Sequence, residues 1–155
     1  MTIKAFYSFH YIPDNWRAGT VRGIGKLDGN APVSDNSWET ITSGGDAAIK
    51  KWIGDEMKGK EALVVLIGKN TAGRKWINYE IQTAWDAGLG VFGIYVHNLL
   101  DSAGEQTTKG SNPFDYFSFG SAAKAHDSAY TSSKYVYDDI ATNIDSWAQA
   151  AIDAR

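Results

Sequence analysis

Apolar residues fall in two patterns along this chain: unbroken runs of strand length, and stripes spaced three and four positions apart. Ile3 to Phe9, short, aromatic and β-branched, predicts a first strand. It runs into the turn-rich stretch His10-Tyr11-Ile12-Pro13-Asp14-Asn15, where Asp14 is placed to cap a helix over residues 16–25 that stops at Gly25. Residues 26–45, rich in Gly, Asn, Asp, Ser and Pro, read as a long loop with one short edge strand near Ala31 to Val33. Ala48, Ile49, Trp52, Ile53 and Met57 share one helical face, and Gly59 ends that helix. Ala62-Leu63-Val64-Val65-Leu66-Ile67 is apolar throughout, as a central parallel strand buried on both faces requires. A helix from about Arg74 to Ala87 turns Ile77, Ile81, Ala84 and Trp85 inward and stops at Gly88, and Val91 to Val96 is another buried strand. Residues 98–134 are polar and Gly/Ser-rich, with an edge strand expected at Phe114 to Phe119. Ile140, Ile144, Trp147 and Ala151 then mark a terminal helix.

Strand and helix alternate, so the sheet is expected to be parallel with helices on both faces. Such sheets bind ligands at the carboxyl ends of their strands, where the strand order reverses. The loops after Phe9, Ile67 and Val96 are therefore where chemistry is sought. The length of 155 residues fits one domain, 1–155.

Composition narrows the chemistry. A net charge of −3 with interspersed signs gives no footprint for nucleic acid or for an anionic membrane. The absence of Cys excludes disulfides and thiolate chemistry, and His10, His97 and His126 are too scattered for a metal-spaced pair, so no metal site is expected. The amino terminus has neither a basic start nor an apolar run, and no apolar stretch reaches membrane length, so a cytoplasmic protein is expected. Several motifs fail. Gly68-Lys69-Asn70-Thr71 lacks the upstream Gly of a phosphate loop, Gly23-Ile24-Gly25 lacks the third Gly of a dinucleotide fingerprint, and Ser8-Phe9-His10 is no acidic pair of a phospho-acceptor domain.

What remains is Arg74-Lys75-Trp76-Ile77-Asn78-Tyr79-Glu80. At 100° per residue Glu80 lies about 60° from Ile77 on the buried stripe. Trp76 sits one turn earlier on the same flank. Glu80 thus borders the core near the ligand-binding edge, partly desolvated beside an indole. Helical geometry alone weighs equally a Glu80 paired with Arg74 or Lys75 in a surface network.

Trp76-x-x-x-Glu80 resembles the Trp-x-x-x-Glu signature of TIR domains. Further blocks are similar to the TIR-like family of ThsB, from bacterial Thoeris anti-phage defence. They are Phe6-Tyr7-Ser8-Phe9-His10-Tyr11, Asp14-Asn15-Trp16-Arg17, Val21-Arg22, Trp52-Ile53, Val64-Val65-Leu66-Ile67-Gly68, Glu80-Ile81 with Ala84-Trp85, and Gly93-Ile94-Tyr95-Val96-His97. The resemblance spans roughly residues 3–115. It implies a flavodoxin-like (TIR-like) three-layer α/β fold with a central, mainly parallel sheet of about five strands. It also implies cleavage of the nicotinamide–ribose bond of NAD⁺, with NAD⁺ as substrate, no metal, and Glu80 as the catalytic carboxylate.

Other roles follow as expectations. The loop Ser8 to Pro13, with Ser8, Phe9, His10 and Tyr11, and the following helix terminus would hold the diphosphate. Arg17 would add a charge there, or be a solvated helix residue. Phe9, Tyr11 or Trp38 would stack on adenine or nicotinamide, or simply pack. Trp76 would support Glu80, and His97 and Asn98 would end a strand at the correct edge, more as scaffold than as ligands. The implied partners are an effector reached through a cyclic or conjugated ADP-ribose signal, a phage-derived trigger and further copies of the chain. Two rival readings stand: a TIR-like interaction module without turnover, and a nucleoside deoxyribosyltransferase-like enzyme.

Overall fold

Uninterrupted apolar runs become strands buried on both sides because each face of the sheet is covered by helices. In a computed structural model, which describes residues 2–29 and 44–155, β3 (Ala62–Ile67) and β4 (Gly90–Tyr95) are buried at all six positions. Around them stand β1 (Ile3–Ser8), α1 (Tyr11–Gly23), β2 (Leu27–Gly29), α2 (Gly45–Met57), α3 (Lys75–Asp86), β5 (Lys124–His126) and α4 (Ser133–Asp153). Trp38 and the edge strand expected near Ala31 to Val33 lie outside the described residues.

Among the described residues all four strand pairings are parallel, in the order β2-β1-β3-β4-β5. The chain works outward from β1 in one direction and then returns past it, so the strand order reverses between β1 and β3. Ser8, the last residue of β1, pairs with Val65 there. The pleat sorts side chains between two cores. Ala5, Tyr7, Val64 and Leu66 face α1 and α4, meeting Ala18, Val21, Ile140 and Ile144. Phe6, Leu63, Val65 and Ile67 face α2 and α3, meeting Ile49, Ile53, Ile77 and Ile81. The result is a three-layer α/β fold of the flavodoxin-like, TIR-like kind.

Three expectations are corrected. First, α1 begins at Tyr11 rather than near residue 16, because Pro13 falls in the first turn, where its missing N–H costs nothing. His10 holds the N-cap position, and Asp14 lies inside the helix, buried. Second, Leu27–Gly29, assigned to the loop by pattern, pairs with β1 as an edge strand. Third, Phe114 to Phe119 is not a strand. Asn112 accepts from the Phe114 N–H at 2.9 Å and opens a 3₁₀ turn, Pro113–Tyr116, while Phe119 stacks flat on Trp85 with ring centres 4.1 Å apart. The fifth strand is the short Lys124–His126. The helix expected from Arg74 to Ala87 differs by one residue at each end and is followed by Gly88 at φ +80°, a left-handed stop suited to glycine.

Candidate active site

The reversal between β1 and β3 leaves a rim formed by the end of β1, the turn after β3, the first turns of α3 and the exit from β4. Ser8 follows Phe6 by two positions, so its side chain stands on the same face, toward α3. On α3, Ile77, Ile81 and Ala84 seat the helix on that face, and Glu80 comes in with them at 4% exposure. The two meet: the Ser8 hydroxyl donates to Glu80 Oε1 at 2.8 Å, across 72 positions of sequence. A carboxylate so far removed from water needs such donors, because an unmet buried charge is costly.

The surface-network alternative for Glu80 does not extend to Lys75. Its ammonium pairs with Asp46 of α2 and lies 4.9 Å above the Trp76 ring. Trp76 is half-buried, with its ring edge-on to Tyr79 at 5.6 Å, so this indole shields the flank of α3.

Other residues singled out from sequence are placed differently. Phe9 is buried in the core of the opposite face, among α1 and α4 residues, and Tyr11 packs against the same core with the two ring centres 6.4 Å apart. Their rings serve that core rather than the face that holds Glu80. His10 is half-buried at the head of α1.

Arg17 is neither solvated nor aimed at the rim. It is 2% exposed, and its guanidinium donates to Leu99 O at 2.8 Å, Pro13 O at 3.1 Å, Asp14 Oδ1 at 2.9 Å and Glu105 O at 3.0 Å. It thereby fastens α1 to the loop that leaves β4. That loop is closed on itself by Thr107 N–H donating to His97 O and by Asp101, whose carboxylate accepts from the Ala103 and Glu105 amides. Those amide bonds hold the Asp101 carboxyl below its ordinary value. Asp14 is raised by burial, with Arg17 pulling against the rise. Its second oxygen, Oδ2, faces Gly68 and has no hydrogen-bond partner among the described residues. The Asp14–Arg17 pair was legible only as an i,i+3 spacing, which also describes any solvated ion pair.

His97 ends the β4 exit on the same face as Tyr95, its ring edge-on to that tyrosine at 5.9 Å. It is buried, and Nδ1 lacks a hydrogen-bond partner among the described residues. Burial holds its imidazole below the ordinary value, with Lys109 and Arg17 adding to the effect and Asp127 opposing it. Its ring packs inward against Tyr95. No helix among the described residues is long and apolar enough to cross a membrane.

One carboxylate, hydrogen-bonded by a serine at the switch point of a parallel sheet, can stabilise a positive charge that develops beside it. Comparison with known proteins bears on which charge. A family model described as "Thoeris protein ThsB, TIR-like domain" matches residues 6–101, a span that contains Ser8, Arg17, Glu80 and His97. A Bacillus cereus (strain MSX-D12) protein named "Putative cyclic ADP-D-ribose synthase ThsB1" is 35% identical over 124 residues, covering 77% of this chain and 65% of the relative. The chain thus spans less than two thirds of that relative's length.

Proposed function

The chain belongs to the TIR-like domain family of the Thoeris protein ThsB, and from that membership we propose that it cleaves the nicotinamide–ribose bond of NAD⁺ and converts the remainder into a cyclic or conjugated ADP-ribose signal. The observation that carries this reading is the buried Glu80 carboxylate held by Ser8 at the β1/β3 switch point. Nicotinamide departs from a pyridinium cation as a neutral base, so no general acid has to protonate it. The ribosyl centre becomes oxocarbenium-like, and one fixed carboxylate lowers the energy of that charge. Water at the cation gives ADP-ribose, whereas an internal hydroxyl or adenine nitrogen gives a cyclic product. The relative's name supports the cyclic outcome.

At 4% exposure, Glu80 is sheltered in the single chain. Such shelter supports an activity that stays silent until a trigger or self-association opens the rim; the trigger we propose is phage-derived, and the product is proposed to act on a separate effector. Purified protein is incubated with NAD⁺, with and without extract of infected cells, and nicotinamide and nucleotide products are followed by chromatography and mass spectrometry. The expected result is nicotinamide release that Glu80→Gln lowers about a hundredfold to a thousandfold. Equal release by wild type and Glu80→Gln, or none in either condition, sinks the reading.

A second reading, a TIR-like interaction module without turnover, draws on Ile12 and Trp16. They lie one turn apart on α1 and are 68% and 57% exposed. Absence of any NAD⁺-derived product in triggered extract favours it.

A further inference from the structure

Ser8 is placed by the first strand and Glu80 by a helix that begins after the third strand, and neither side chain reaches solvent: Ser8 is 1% exposed and Glu80 4%. A serine at the rim of a substrate cleft is ordinarily read as a substrate contact. Here its hydroxyl is already committed, donating to Glu80 Oε1 at 2.8 Å, the ordinary length of an O–H···O bond. The geometry points to Ser8 as a positioning residue: it fixes the rotamer of Glu80 and acts on the reaction only through that carboxylate. The inference rests on Glu80 as the catalytic group.

Two features support this role. The partners stand on rigid elements rather than on loops. Ser8 belongs to a strand in register with Val65, and Glu80 belongs to a helix anchored by Ile77, Ile81 and Ala84. Such elements hold a contact to within the tolerance that catalysis demands. The donor is also a neutral hydroxyl, so this contact orients Oε1 without itself adding charge to the site.

The test uses the whole chain, triggered as above, in four variants: Ser8→Ala, Ser8→Thr, Glu80→Gln, and Ser8→Ala combined with Glu80→Gln. Ser8→Ala is expected to lower kcat for nicotinamide release about tenfold to a hundredfold, with KM for NAD⁺ within about twofold and a melting temperature lowered by a few degrees while the chain stays folded. Ser8→Thr, which keeps the hydroxyl, recovers most of the rate. In the double variant, Ser8→Ala adds little to the loss already caused by Glu80→Gln, because Ser8 acts only through the carboxylate that Glu80→Gln has already removed. A rise in KM with kcat intact, or losses that multiply in the double variant, overturns the inference in favour of direct substrate contact.

A second readout is independent of turnover. The carbon-13 carboxyl resonance of Glu80, identified by its disappearance in Glu80→Gln, is expected to shift in Ser8→Ala and to return toward wild type in Ser8→Thr. An unmoved resonance overturns the inference whatever the kinetics show. Equal rates in wild type and Glu80→Gln, with the resonance shifted by Ser8→Ala, instead overturn the catalytic reading and leave the contact standing.

Discussion

Gly68 has no side chain because the space one would occupy is filled by the Asp14 carboxylate, even though Gly68 itself has no unusual φ. Gly68→Ala is therefore expected to destabilise the fold by about 1–3 kcal/mol, read as a lower urea midpoint with unchanged slope, and a wild-type midpoint would remove the claim. Glu80 was half legible at this scale: three residues past Ile77 on an amphipathic helix it borders the buried stripe, but geometry left a surface ion pair equally open, and the family resemblance tipped the reading. Arg17 was not legible. On a weakly patterned helix an arginine is ordinarily solvated, and nothing nearby in sequence announces that its partners are the carbonyls of Leu99 and Glu105, 82 and 88 positions away. Its burial is a long-range property. For Phe9 the choice between stacking and packing stayed open for a related reason: the end of a strand points to either face, and only the whole sheet shows that Phe9 packs on the face away from Glu80.

Among the elements, α1 and the loop leaving β4 behave as one unit because a single guanidinium joins them. Arg17→Lys cannot reproduce the fork of bonds to Leu99 O, Glu105 O and Asp14. We expect amide exchange at Thr107 and Glu105 to accelerate markedly in that variant while β3 amides stay protected. Equal protection of the loop in both proteins would contradict the unit. Arg17→Met is harsher, since it leaves Asp14 buried and uncompensated, and should cost about 3–5 kcal/mol by chemical unfolding. Arg17→Met combined with Asp14→Leu should recover part of that loss. β3 and β4 could be read from the chain because a strand covered on both faces must be apolar at every position. β5 could not, since Lys-Ala-His carries no period and its place is set by pairing with Phe92 to Ile94. The aromatic run near residue 117 imitated a strand, but its rings serve a stack, Phe117 on Phe119 at 4.9 Å and Phe119 on Trp85.

For the molecule as a whole, strand order is the property furthest from local pattern, and the sequence approached it only through resemblance to a family whose order is known. The order found, with its reversal between β1 and β3, is what brings Ser8 to Glu80. Global stability carries a second signature, because His97 and His126 are both held below the ordinary imidazole value, chiefly by burial. The native state therefore binds protons less readily than the unfolded chain. The contribution from keeping both rings neutral is complete above the unfolded value of 6.5 and drains away as pH falls through it. Melting temperature should drop between about pH 7 and pH 5. His126→Phe, which preserves the ring stacked on Trp147 at 4.3 Å, should flatten part of that drop, and an identical slope in the variant would show that His126 plays no part. The distance in sequence between Ser8 and Glu80 also sets a timetable for synthesis. A ribosome exposes β1 long before α3, so a nascent chain carries the Ser8 hydroxyl well before the Glu80 carboxylate, and the pair closes only once more than half the polypeptide has emerged and folded.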